Sequence, residues 1–258
     1  MNATQPALLD PDEPSPVRVL REHGASAYVL TADHAGRAIP RRLGDLGVSA
    51  AGLERHIAWD IGIAGVTERL SAILDAAAVL QTYSRLVIDC NRHPGWPSAM
   101  PAISEHTEIP GNRHLTEEDR AARAAAVFYP YHDRTAKLLD ARQAAGRRTI
   151  VAAMHSFTPN FKGESRAMEV GILYFRRTKL ALAMLDLLRA EGDLTVGENA
   201  PYALTEDSDY SIPRHGEGRG LEHVEIEIRQ DLIASPEGQA AWAERFARLL
   251  TAALPRLV

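Results

Sequence analysis

Short apolar runs alternate with helical segments along most of this chain, and this alternation limits its fold more than any other feature. Strands are predicted over residues 27–32, 78–83, 85–90, 149–154, 170–175 and 224–228. Helices are predicted over 50–76 (one or two), 116–143 with Thr116 as N-cap and a break before Pro130, 178–191 and 236–254. The pattern predicts an α/β fold, a three-layer α/β/α sandwich with a mixed, mostly parallel central sheet. The stretch 91–115 lacks periodicity, which predicts a long loop of the kind that often carries function.

One catalytic domain is predicted over residues 17–258, after an extended lead-in over residues 1–16. The chain has 258 residues and a net charge of −5, and this balance argues against nucleic acid as a partner. The sequence has neither a long apolar run nor a basic-then-apolar leader, so we expect no membrane partner and a cytoplasmic location. The single cysteine, Cys90, excludes an internal disulfide and is predicted to pack in the core. The sequence does not determine the oligomeric state.

Polar residues suited to chemistry stand at the ends of predicted strands. In an open α/β sheet, ligands bind outside the carboxyl ends of the strands, so these residues are expected to converge. Histidine and carboxylate side chains suit zinc, a further carboxylate can take a proton from water, and an arginine can clamp a substrate carboxylate. The set therefore predicts a metal-dependent hydrolase, although each residue taken singly also fits a structural role. Its members are Asp33-His34, Asp89-Cys90-Asn91-Arg92, His155-Ser156 and Glu225/Glu227.

Two acidic residues near the end of the chain share one face of a predicted strand. Glu225 and Glu227 are two residues apart, whereas Ile226 and Ile228 point the other way. If the apolar face packs inward, both acids look toward the edge where the strand ends converge or toward the opposite layer. The alternative is a solvated acidic face paired with Arg229. Spacing alone does not choose which acid is the general base.

An ordered set of motifs over about residues 28–233 resembles the N-formylglutamate amidohydrolase family. Parts of the chain also resemble more distant zinc hydrolases. His155-Ser156-Phe157 is similar to the last metal histidine of zinc carboxypeptidases. The stretch 89–95 is similar to the substrate-binding segment of aspartoacylases, with Pro and Gly one position early. The family motifs are His34-Ala35-Gly36 with Ile39-Pro40, Ser84–Asp89, Tyr129-Pro130-Tyr131-His132, Asn199-Ala200-Pro201-Tyr202 and Glu227–Asp231.

The resemblance implies a fold of the zinc exopeptidase type and a role for each matching residue. His34 and His155 would bind one Zn²⁺ ion, and Glu227 would be the general base. Other divalent first-row ions suit the same donors. Asn91 and Arg92 would hold the substrate carboxylate, with Arg85 as a further substrate-binding candidate.

The third metal ligand departs from the carboxypeptidase-like His-x-x-Glu pattern, because position 37 is Arg. Asp60 is the predicted ligand, since an acid among apolar residues is costly to bury unpaired. Asp60 could instead cap a helix that begins at Ile61. His56, four residues earlier, would share its face in a continuous helix and is the alternative ligand or a partner of Asp60.

The segment before the last predicted strand supplies further candidates. Tyr210 and His215 are candidate catalytic residues that would stabilise the oxyanion, and Arg214 is a candidate for substrate binding. A serine hydrolase is disfavoured, because neither Ser84 nor Ser156 lies in a Gly-x-Ser-x-Gly elbow.

The resemblance implies a small anionic N-acyl amino acid as substrate. N-formyl-L-glutamate, cleaved to formate and L-glutamate as in histidine degradation, is the leading candidate. One alternative is a hydrolase of another N-acyl amino acid or of a peptidoglycan fragment. The other is a protein that binds an anionic ligand without catalysis, which the missing acid at position 37 favours.

Overall fold

A mixed seven-stranded sheet forms the centre of the protein in the computed structural model, which describes residues 7–257. The strands in chain order are β1 (Val17–Leu20), β2 (Tyr28–Ala32), β3 (Ala77–Gln81), β4 (Ile103–Ser104), β5 (Thr107–Glu108), β6 (Ile150–Phe157), β7 (Asn160–Phe161), β8 (Glu164–Ser165), β9 (Val170–Leu173), β10 (Val196–Glu198) and β11 (Glu222–Arg229). The helices are α1 (Ala50–Leu53), α2 (Ile63–Leu74), α3 (Glu117–Arg123), α4 (Tyr129–Ala144), α5 (Lys179–Glu191), α6 (Ser211–His215) and α7 (Pro236–Ala253).

The central sheet has the strand order β1-β3-β2-β6-β11-β9-β10. The four middle strands, β3, β2, β6 and β11, run parallel to one another. At the edges, β1 is antiparallel to β3, and β9 is antiparallel to β11. The prediction of a mixed, mostly parallel sheet is therefore confirmed. The carboxyl ends of the middle strands meet at one edge of the sheet, which is where such folds bind ligands.

Apolar residues on both faces of the sheet build two cores and give the molecule its three layers. On one face, Leu30, Met154 and Ile226 pack with helices α2, α5 and α7. On the other face, Val79 and Val151 pack with α4 and with the segment that follows β3. Cys90 is fully buried in this second core, as predicted. The predicted α/β/α sandwich is confirmed.

The long helix predicted from Thr116 begins where expected and is shaped by Pro130. The side chain of Thr116 accepts a hydrogen bond from the backbone N–H of Asp119, and the Asp119 carboxylate bonds the backbone N–H of Thr116. This capping box satisfies two amides that a helix start leaves free. A π-helical turn over Ala124–Phe128 links α3 to α4, so the chain continues through the predicted break with altered hydrogen bonding.

The strand predicted over 85–90 is wrong. These residues form turns after β3, although Leu86, Val87 and Ile88 are buried. Their backbone groups bond locally: the N–H of Val87 donates to Ser84 O at 2.9 Å, and the N–H of Asp89 donates to Ala99 O at 2.8 Å. A short apolar run indicates burial, and these turn bonds satisfy the buried backbone without a neighbouring strand.

Residues 50–76 form two helices. The segment between them shows that Asp60 neither shares a helical face with His56 nor caps the second helix. The turns over 54–62 mean that His56 and Asp60 do not share a helical face. Helix α2 begins at Ile63 with Gly62 as its N-cap, so Asp60 does not cap it. Gly62 has a φ of 82°, and a Cβ there would lie 2.1 Å from Ile233 O. Glycine is therefore required at this start.

The lead-in predicted over residues 1–16 falls partly outside the described residues, and β1 begins at Val17. The division into this lead-in and one domain stays a prediction. Among the residues that the structure describes, no helix is long and apolar enough to cross a bilayer.

Candidate active site

A cavity of about 550 Å³ opens at the carboxyl ends of the parallel strands. Its floor carries residues from the segment after β2, from β6 and from β11. One wall comes from the segment after β3, and another from residues around Tyr202 and Asp209. This volume lies within the range of small-molecule sites. The cavity can therefore accept a compound the size of an acylated amino acid.

Asp33, His34 and His155 form a buried group that could hold a metal ion, and we refer to these three residues as the metal-binding group. One ligand atom from each residue lies within 4.8 Å of the others. Asp33 Oδ1 lies 3.2 Å from His155 Nε2 and 3.8 Å from His34 Nδ1. These three atoms are buried and have no hydrogen-bond partner in the structure. Buried polar atoms without partners are unfavourable, so their convergence makes this group suited to a cation.

The ring of His34 is held by a carboxylate on its far nitrogen. His34 Nε2 lies 2.7 Å from Asp89 Oδ1, which leaves Nδ1 facing Asp33 and Asp60. Asp89 is itself fixed, because it accepts hydrogen bonds from Arg85 Nε at 3.0 Å and from the backbone N–H of Asn91 at 2.8 Å. Metal-binding histidines commonly donate their other N–H to a carboxylate in this way.

Asp60 is a second carboxylate within reach of both histidines. Its Oδ2 lies 3.1 Å from His155 Nδ1 and 3.6 Å from His34 Nδ1. The same oxygen accepts the backbone N–H of Ser156 at 3.1 Å. His155 therefore faces Asp60 with Nδ1 and Asp33 with Nε2. Asp60 lines the cavity, whereas Asp33 lies behind its wall.

His56 lies apart from this group. Its Nε2 is 3.7 Å from the Glu105 carboxylate, and its ring packs edge-on against Phe161.

The electrostatics of this group favour positive charge. Burial and Arg85 lower the pKa of His34, but Asp89, Asp33 and Asp60 outweigh them and raise it to about 9. The surrounding carboxylates likewise raise the pKa of His155 against the effect of burial. A divalent cation would meet the same demand, and it would displace protons from the imidazoles as it binds.

Glu225 and Glu227 project from β11 into the cavity and are 3% and 5% exposed. The alternative of a solvated acidic face is wrong, and Arg229 pairs instead with Asp231 at 2.8 Å. The Oε2 atom of each glutamate has no hydrogen-bond partner in the structure. Burial raises the pKa of Glu225 to about 7 and that of Glu227 to about 8. Carboxyl groups with such pKa values can both accept and return a proton near neutral pH.

The predicted substrate-binding residues after β3 also line the cavity. Arg85 makes an ion pair with Asp89 and lies 3.5 Å from Asp60 Oδ1. Arg92 Nη1 and Asn91 Nδ2 both donate to Asp209 Oδ1, at 3.2 Å and 3.3 Å. The Asn91–Arg92 pair thus already binds a carboxylate of the chain itself.

Three other predicted site residues lie outside the cavity lining. Tyr210 and Arg214 border a neighbouring groove, which Asp209 separates from the cavity. His215 is buried, with Nε2 3.0 Å from His132 Nδ1 and the two rings stacked. The structure does not bring these three side chains to the metal-binding group.

The sequence analysis assigned no site role to Asp209. It named Asp33 and Asp89 as candidates at strand ends but did not predict that Asp33 lies beside His155 or that Asp89 binds His34. Asp33 and Asp89 both stood next to candidate residues, and that adjacency was the available signal. Asp209 gave no signal, because its contact with Arg92 joins segments 117 residues apart.

Comparisons with known proteins agree with this geometry. The family model for N-formylglutamate amidohydrolase matches residues 26–234, a range that includes every strand end around the cavity. The crystal structure of gene product Atu2144 from Agrobacterium tumefaciens is 42% identical, covers 97% of this chain and 99% of its own, and superposes with a TM-score of 0.93. N-formylglutamate amidohydrolase from Ralstonia eutropha JMP134 is 20% identical over 93% of this chain and 97% of its own, with a TM-score of 0.64, and shares the fold. No functionally curated protein matches the chain.

Proposed function

This chain belongs to the N-formylglutamate amidohydrolase family, and on that premise we propose that it is a metal-dependent hydrolase of N-formyl-L-glutamate, releasing formate and L-glutamate. Family membership supports an amidohydrolase; the metal and the substrate are the proposal. One observation carries it: two buried imidazoles present Nδ1 to one carboxylate, Asp60, at 3.1 Å and 3.6 Å on the cavity floor. Two buried glutamates stand beside them.

His34, His155 and Asp60 would hold the ion in this proposal, and zinc suits two imidazoles with one carboxylate. When bound, such an ion would polarise the amide carbonyl and make a water molecule more acidic. Asp89 lies against Nε2 of His34, and Asp33 lies 3.2 Å from Nε2 of His155. His34 is thus hydrogen-bonded to the carboxylate behind it, as metal-binding histidines commonly are, and Asp33 stands at the corresponding place behind His155.

Glu227 is the proposed general base. It pairs in register with His155 across two parallel strands, so its side chain stands next to the metal-binding group. The raised pKa of Glu227, caused by burial, lets this carboxyl take a proton from the attacking water and return it to the leaving amine. Glu225 lies two residues earlier on the same face of β11, and its Oε2 is 3.9 Å from Nε2 of His155, on the side of the ring that faces away from Asp60.

A small anionic N-acyl amino acid is the proposed partner of the cavity. Asn91 and Arg92 would meet the α- or the side-chain carboxylate, with Asp209 displaced or shared as the ligand enters. Arg85 orients Asp89 and Asp60 through ion pairs, so its role in this proposal is to position carboxylates.

Metal analysis combined with formate release tests the proposal. We expect about one zinc per chain, activity on N-formyl-L-glutamate, loss of activity on chelation and recovery when zinc is restored. His155→Ala is the matched control and should purify without zinc. Zinc-loaded protein that releases no formate would refute the substrate, and a fully active metal-free protein would refute the metal dependence.

A further inference from the structure

The residues that line the cavity carry more carboxylates than cations. The carboxylates are Asp60, Asp89, Glu105, Asp209, Glu225 and Glu227, and the guanidinium groups are Arg85 and Arg92. Both guanidinium groups are already paired, Arg85 with Asp89 and Arg92 with Asp209. Besides the proposed metal ion, a further cation near this lining would therefore favour a dianionic substrate such as N-formyl-L-glutamate, because like charges at short range oppose binding.

Arg166 supplies a guanidinium group directly beside the lining. Its Cζ lies 4.8 Å from the ring centre of Phe161, 4.9 Å from that of Tyr202 and 5.7 Å from that of Phe157. All three rings line the cavity. Arg166 Nη1 donates to the Tyr202 hydroxyl at 3.0 Å, and among the described residues this side chain has no carboxylate partner.

The backbone around Arg166 is anchored. The N–H of Arg166 donates to Pro159 O at 2.8 Å, which closes the β7–β8 ribbon. Arg229 Nη1 donates to the carbonyl groups of Ala167 and Met168 at 3.2 Å and 3.3 Å. A guanidinium group stacked on aromatic faces keeps its in-plane N–H groups free, and these match a carboxylate with two parallel hydrogen bonds. Arg166 therefore has an anchored backbone and guanidinium N–H groups that are free to donate to a ligand.

We propose that Arg166 binds one carboxylate of the substrate and sets the preference of this site for a dianionic acyl amino acid, with Tyr202 as its positioning residue. The inference rests on the proposed function. In this proposal Arg92 and Arg166 contact different carboxylates of the substrate, Arg92 from beside Asp209 and Arg166 from beside the ring of Tyr202.

The test compares Arg166→Gln with the unmodified protein on three substrates: N-formyl-L-glutamate, N-formyl-L-glutamine and N-formyl-L-isoglutamine. We expect KM for the glutamate compound to rise about 10- to 100-fold with little change in kcat, the scale of one lost charge-assisted contact. One of the two amides, the one that lacks the carboxylate bound by Arg166, should be insensitive to the substitution. Arg166→Lys should restore part of the loss, and Arg120→Gln, a substitution on α3, should change nothing.

Equal losses on all three substrates, or no loss, would overturn the assignment. Calorimetric binding of N-formyl-L-glutamate separates this result from a failure of the proposed function. Binding that is tight in the unmodified protein and weak in Arg166→Gln, without any hydrolysis, would refute the reaction and keep the carboxylate site. Equal binding by both proteins would refute the site whatever the activity. Matching thermal unfolding curves would show that the variant is folded.

Discussion

Two aspartates approach the same pair of imidazoles, and at the scale of single residues the proposed chemistry depends on which one would bind the metal ion. Asp33 has one oxygen without a partner, and its other oxygen accepts a hydrogen bond from the Ser211 hydroxyl. Asp60 lines the cavity and lies near Nδ1 of both histidines. With Asp60 as ligand, both histidines share one arrangement, with Nδ1 forward and a carboxylate behind Nε2. That symmetry favours Asp60 as ligand, and it leaves Asp33 behind His155, with Oδ1 3.2 Å from Nε2.

Replacing each aspartate by asparagine distinguishes the two roles. We expect Asp60→Asn to purify without stoichiometric zinc, because it removes a ligand charge. Asp33→Asn should keep one zinc per chain with an affinity about 10- to 100-fold weaker, the usual effect of losing a partner behind a ligand. Metal titration with a competing chelator measures both. Zinc retained in Asp60→Asn and lost in Asp33→Asn would reverse the assignment.

Glu227→Gln should keep zinc and fold normally while kcat falls by about 10²- to 10⁴-fold, the contribution typical of a general base. The reason is that glutamine preserves shape but cannot accept a proton. Glu225→Gln is the matched control, since both acids are buried on one face of β11. We expect it to retain most of kcat. Full activity of Glu227→Gln, measured as formate release, would show that another group takes the proton.

At the scale of elements, most of the scaffold of the site could be predicted from the sequence. The strand that carries Glu227 alternates with period two, the strand that carries His155 begins as a continuous apolar run, and polar residues at strand ends follow from the geometry of a parallel sheet. The segment 85–90 could not be predicted, because apolar runs signal burial and not backbone conformation. The hydrogen bond between Asp89 and His34 could not be predicted from the sequence either, because it joins residues 55 positions apart.

The turn after β2 holds His34 against the end of β3, and Gly36 makes that approach possible. A Cβ at this position would lie 2.0 Å from Thr82 O and 2.6 Å from Thr82 Cα, both backbone atoms. Gly36→Ala should therefore push the turn away, lower the free energy of unfolding by about 1–3 kcal/mol and weaken zinc binding.

The matched control for that change is Gly95→Ala. Gly95 is exposed, and its added Cβ would meet only the side chain of His93 at 3.2 Å. Urea unfolding and zinc titration of both variants provide the measurement. A Gly36→Ala protein as stable and as well loaded as the control would show that the turn tolerates a side chain.

At the scale of the whole molecule, the net charge of −5 does not show that charged and neutral titratable groups lie in different parts of the fold. Carboxylates are concentrated at the cavity, whereas a pair of neutral histidines is buried behind it. His132 Nε2 lies 2.8 Å from Cys90 O, and its Nδ1 contacts His215. Burial lowers the pKa of His132 to about 4 and lowers that of His215 as well. Composition counts histidines but cannot show which of them the fold keeps neutral.

These neutral histidines should make the stability of the whole fold depend on pH. Between pH 6.5 and about 4, the unfolded chain binds a proton at position 132 that the folded chain does not, so stability falls as the pH falls through this window. The loss in the free energy of unfolding caused by His132 approaches about 3 kcal/mol at the acidic end of this window.

Glu225 and Glu227, whose pKa values are raised to about 7 and about 8, act in the opposite sense within this window, and His34, whose pKa is raised to about 9, does so above pH 6.5. The informative quantity is therefore a difference between proteins. Urea unfolding in the presence of a chelator, at several pH values from 4 to 7, measures it. His132→Gln should flatten the dependence on pH relative to the unmodified protein, even where the variant is less stable overall. His23→Gln, at an exposed position, should leave the slope as it is. Parallel curves for His132→Gln and the unmodified protein would mean that the buried pair takes up protons without unfolding.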